Sequence, residues 1–125
     1  MTAIAPYAPL VARILIGILF LVAGAGKVSD VAGFSGYLAS GGLPAFLAWP
    51  SILFEIILGL ALIAGFQTRI FALLGAGFCV LAAVLYHFNP ADQLQMTMFL
   101  KNFAIAGGLL MFVAHGAGRY AVDKA

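Results

Sequence analysis

One carboxylate, two amines and an imidazole stand inside or beside long apolar runs: Glu55, Lys27, Lys101 and His87. An acid surrounded by three cationic or protonatable groups suits an anion, or the oxygen of a phenol or quinone, with a proton passed between neighbours. Tyr37, Phe54, Tyr86, Phe99 and Phe103 are the aromatic residues available to wall a flat ring. No residue set assigns a catalytic role, and no metal set is evident. His115 belongs a membrane thickness away from His87, so the two histidines cannot share one ion or haem. Cys79 is the single cysteine, which excludes an intrachain disulfide or a paired-thiol relay and reads as a small packing residue.

The elements that must position these groups are four apolar segments, expected as helices over about 10–27, 49–66, 70–88 and 96–115. A bilayer core about 30 Å thick takes roughly 20 helical residues to cross. The 125 residues are 65% hydrophobic and 8% charged with a mean hydropathy of +1.16, far from a water-soluble domain. The expected fold is an all-α integral membrane four-helix bundle, one domain over 1–125, with the bilayer as its constant partner. A formal charge of +2 and no basic stretch argue against nucleic acid. Arg13 and the small residues Ala23 to Gly26 imitate a cleaved leader, but the expectation is a retained membrane helix. Segment 28–48 mixes glycines with Val31, Phe34, Tyr37, Leu38 and Phe46, so it reads as interfacial, with a short helix near Val31 to Ala39 ending at Gly41-Gly42. Arg13, Arg69, Arg119 and Lys124 flank one side of the membrane. Lys27, with Asp30 and Asp92, flanks the other, which places both termini in the cytoplasm.

Helical stepping brings the polar residues into stripes: Arg13–Gly17–Phe20–Gly24–Lys27, Ser51–Glu55–Gly59–Leu62, Leu73–Ala76–Val80–Ala83–His87, and Lys101–Ile105–Gly108–Phe112–His115. Depth along each helix puts Lys27, Glu55, His87 and Lys101 in the outer half of the bundle. An ionised Glu55 alone in hydrocarbon is costly, so it is expected to pair with Lys101, and Lys27 is a further candidate partner. Arg13 is expected to snorkel to headgroups, with an inward orientation left open by the stripe it shares with Lys27, and Arg69 and Arg119 are expected to act as lipid anchors. Gly75, Cys79 and Ala83, with Ala104 and Gly108, have the spacing of close helix contacts.

The order of motifs resembles the DoxX family of small bacterial inner-membrane proteins. The chain carries R-x3-G-x6-G-x2-K (Arg13, Gly17, Gly24, Lys27) and E-x3-G-x5-G-F-x-T-R (Glu55, Gly59, Gly65, Phe66, Thr68, Arg69). His87 closes the third helix, and K-N-x4-G-G (Lys101, Asn102, Gly107, Gly108) follows. The ending G-x-G-R-Y-A-V-D departs from the family, which usually has serine before the final Asp123. The resemblance adds Asn102 to the candidate ligand-binding or proton-relay residues Lys27, Glu55, His87, Lys101 and Arg13. It implies a multi-pass protein of the bacterial inner membrane. It also implies association with quinone-linked oxidoreductase complexes and their subunits.

The residues themselves supply no intrinsic cofactor: no haem ligand pair, no cluster cysteines and no nucleotide loop. Any redox role would use a bound quinone or a partner subunit, so whether the chain is itself an enzyme stays open. Three readings follow: a quinone-binding or redox-associated subunit, a non-catalytic scaffold or assembly subunit, and a small weak-acid or proton transporter. Four helices are few for alternating access, which makes homo-oligomerisation a requirement of the third.

Overall fold

The computed structural model describes residues 2–123, and its secondary structure is helical throughout these residues. Five α-helices follow in order: α1 (Ala8–Val28), α2 (Val31–Ser40), α3 (Ala48–Ala64), α4 (Thr68–Ala82) and α5 (Gln93–His115). A 3-10 turn, Ala45–Leu47, leads into α3, and a π-helical turn, Ala83–His87, extends α4. With these turns, four segments are long and apolar enough to span a bilayer: Ala8–Val28, Ala45–Ala64, Thr68–His87 and Gln93–His115. The expected helices therefore form, with ends shifted by a turn or less. Lys124, counted above among the basic flanks, lies outside the described residues.

Local chemistry sets the ends. Pro9 stands in the first turn of α1, where its missing N–H costs no helical bond, and Lys27 in the last turn complements the helix dipole. Asp30 caps α2 by accepting from the Gly33 N–H at 2.9 Å. Gly65, with φ +72°, closes α3 while its N–H and that of Phe66 both bond the Ala61 carbonyl. Asp92 caps α5 through the N–H groups of Leu94 and Gln95.

The described residues divide into two compact units, 2–66 with 117–123, and 67–116. In the first, α1 packs antiparallel on α3 along the stripe read from the sequence: Arg13, Gly17, Phe20 and Gly24 are the buried residues of α1. Gly17 meets Gly59 and Ile63 of α3, and Gly24 meets Ile52, Glu55 and Ile56. A Cβ on Gly59 would fall 2.6 Å from the Gly17 carbonyl oxygen and 2.7 Å from the Leu21 nitrogen, so the two backbones touch. In the second unit, α4 packs on α5. Gly75, Cys79 and Ala83 are buried as expected, but Leu73 is exposed. On α5 the packing residues are Ala106, Leu109 and Phe112; Ala104 is exposed and Gly108 half-buried, which corrects the contact face expected there.

Candidate functional site

Glu55 takes Lys27 as its ion-pair partner, Nζ to Oε1. This corrects the expected Glu55–Lys101 pair: Lys101 is exposed on α5. Lys27 and Glu55 stand on α1 and α3, whose glycine contacts hold them in register. Gly24 makes the approach possible, since a Cβ there would lie 3.2 Å from the Glu55 Cβ and 2.8 Å from Cγ1 of Ile56. The Glu55 side chain is 3% exposed and that of Lys27 32%. The carboxylate is thus sealed inside the unit while the ammonium keeps an open side.

Phe34 of α2 supplies a ring face 4.8 Å from the Lys27 Nζ. Sequence reading missed Phe34, though it had placed the residue in the interfacial segment. Tyr37, one turn further along α2, is exposed, yet the apolar surroundings of its phenol raise its pKa above the ordinary tyrosine value. Phe54, beside Glu55 in sequence, is half-buried.

The other candidates lie in the second unit. His87 Nδ1 and the Gln95 side-chain amide share a hydrogen bond of 2.8 Å. Gln95 was not anticipated; its partner is brought round by the π-helical turn. Phe88 and Phe99 pack with tilted rings 5.4 Å between centroids, and Phe99 and Phe103 likewise at 4.9 Å. Tyr86 and Asn102 are half-buried. Among the described residues, no three His, Cys, Asp or Glu side chains gather at a metal-binding spacing.

Arg13 takes the inward orientation that its stripe left open, not the snorkelling one. It is fully buried and does not snorkel. Its guanidinium donates to the carbonyls of Leu62 (3.0 Å), Ile63 (3.1 Å) and Ala117 (3.0 Å), and also to that of Tyr120. The first two are at the C-terminal end of α3, where the Leu62 carbonyl also accepts from the Gly65 N–H. The last two belong to the tail, which is fixed by bonds from Val122 N–H to Ala64 and Asp123 N–H to Gly65. Arg13 is therefore the clasp at the end of the α1–α3 pair remote from Lys27. Arg69 likewise does more than anchor: it donates to the carbonyls of Val113 and Ala114 at 2.8 Å, closing the end of α5.

Four apolar spans, with a buried arginine and a sealed carboxylate on the α1–α3 contact stripe, define a multi-pass membrane protein. A sequence profile of the DoxX family matches residues 8–88, and the chain belongs to that family. It is 45% identical over 115 residues to inner membrane protein YqjF of Escherichia coli K12, covering 92% of this chain and 88% of that protein. Inner membrane protein YphA of the same organism is 30% identical over 126 residues, covering 95% and 90%. No solved structure matches. The chain is an integral protein of the inner membrane.

Proposed function

We propose that this chain is a quinone-binding, redox-associated membrane subunit whose head-group contact is Lys27 with Glu55. The observation that carries the reading is the asymmetry of that pair: a sealed carboxylate behind an ammonium that is about one-third open. Lys27 has three N–H donors and Glu55 occupies one, which leaves donors for a carbonyl oxygen. Phe34 offers an aromatic face at the same ammonium. The donor set therefore fits the oxygen of a flat ring. A quinone held there would supply the electron-carrying chemistry that the side chains lack. Lys27 would orient the oxygen, and Glu55 would exchange a proton through Lys27, shielded from bulk water. Arg13, Arg69 and Arg119 all belong to the flank that carries the termini, which supports cytoplasmic termini and a site in the outer half of the membrane.

Purification in mild detergent followed by lipid extraction tests this reading. Wild type should carry quinone, and Lys27→Met should lose at least nine-tenths of it while retaining its helical content. Absence of quinone from wild type, with no thermal shift on adding it, defeats the proposal.

A scaffold reading draws on the Gly17–Gly59 contact, because an ion pair one end of that seam also fixes helix register. Under it, the Lys27→Met, Glu55→Gln double variant folds and retains full function in cells. A correctly folded double variant without function rules the scaffold out.

A further inference from the structure

We propose that Lys101 marks a docking face on α5 for a transmembrane helix of a different protein, one that carries a carboxylate at matching depth. Lys101 lies eight residues into α5, about 12 Å along the axis from its first residue. It is exposed, and among the described residues no ion pair or hydrogen bond reaches it. An ammonium on a membrane-spanning helix requires a counter-charge or a route to water.

The chain's own acids are committed elsewhere. Glu55, which lies within a span, is sealed against Lys27 in its own unit. Asp30 and Asp92 cap α2 and α5 from outside the spans. Asp123 is in the tail, where its N–H bonds Gly65. A second copy of this chain therefore brings no free carboxylate at the required depth. The occupant is another chain.

The surface around Lys101 suits a helix. Thr97, Ala104 and Gly108 stand at i−4, i+3 and i+7 from it, so a partner backbone could come close while its acid meets the ammonium. Thr97 and Ala104 are exposed. The buried stripe of α5 is Ala106, Leu109 and Phe112, which leaves Lys101 and its exposed neighbours off it. The inference is independent of quinone binding at Lys27.

The probe is a synthetic dansyl-labelled Leu/Ala transmembrane peptide with a single Glu about 12 Å from its end, and a matched Gln peptide. Both are added to the affinity-tagged full chain in phosphatidylcholine vesicles, with dansyl label retained on the solubilised, captured chain as readout. The Glu peptide should bind at least tenfold more tightly. Lys101→Met should abolish the preference and Lys101→Arg should preserve it. Equal binding of the two peptides by wild type overturns the proposal without reference to any variant, as does an unchanged preference in Lys101→Met. Loss of the preference when phosphatidylglycerol is included also overturns it, because Lys101 would then be satisfied by a headgroup phosphate. Quinone content is unaffected by any of these outcomes.

Discussion

Glu55 reaches across the α1–α3 seam to Lys27 one turn beyond the point where Gly24 lies against its Cβ. The glycine and the ion pair are parts of one arrangement: the first sets the helix separation, and the second satisfies the carboxylate that this separation buries. Removing Lys27 alone leaves that carboxylate without its counter-charge. Lys27→Met should therefore destabilise the fold by about 2–3 kcal/mol, below the range for a fully buried pair because Lys27 is partly solvated. Lys27→Met with Glu55→Leu should recover most of the loss. Thermal unfolding in detergent, arranged as a double-mutant cycle, measures both.

The glycines of the first unit divide sharply by what a methyl group would meet. At Gly59 the obstacles are backbone atoms of Gly17 and Leu21, which cannot step aside without parting the helices. Gly59→Ala should cost about 2–3 kcal/mol through overpacking. Gly26, on the same helix as Gly17, has nothing within 4 Å of such a methyl group. Gly26→Ala should be neutral or stabilise by up to about 1 kcal/mol through helix propensity. Equal effects at the two sites would contradict the close α1–α3 contact.

The α1 stripe was legible in the sequence because its period and its residue types agree: small residues where backbones meet, charges at the two ends. Glu55 was legible as a buried acid for the same reason. Its partner was not, because depth alone admits Lys27 and Lys101 equally. Gly24 selects between them by letting α1 come within reach, and that is a property of packing. The role of Arg13 was hidden more deeply. Its acceptors are four backbone carbonyls, and a carbonyl has no side-chain identity to betray it. Gln95 escaped notice because the π-helical turn, which brings His87 to it, has no strong signature in residue type.

Arg13 predicts the behaviour of the tail. Two of its four bonds hold Ala117 and Tyr120, and Tyr120 in turn stacks on Tyr7 at 5.3 Å with the rings 3° from parallel. Lysine keeps the charge but loses the planar fork that reaches several carbonyls at once. Arg13→Lys should release the tail while the helices remain. Trypsin cleavage after Arg119 should then quicken at least tenfold, with little change in helical circular dichroism. Unchanged cleavage would mean that the backbone bonds from Val122 and Asp123 suffice to hold the segment.

Two tyrosines outside the spans should titrate in opposite directions from the ordinary value of 10.0. Apolar surroundings raise Tyr37, so the folded protein keeps that proton longer than the unfolded chain does. Its contribution to stability is complete below pH 10 and is lost as pH climbs through the raised value. Tyr120 is lowered, first by its hydrogen bond with Tyr7 and then by that with Arg119, so folding favours its phenolate. Its contribution is present above the ordinary value and lost as pH falls through the lowered one. Phenolate absorbance should accordingly show an early step removed by Tyr120→Phe and a late step removed by Tyr37→Phe. Tyr7→Phe should move the early step upward without touching the late one, because it deletes the Tyr120 hydrogen bond and leaves the surroundings of Tyr37 unchanged.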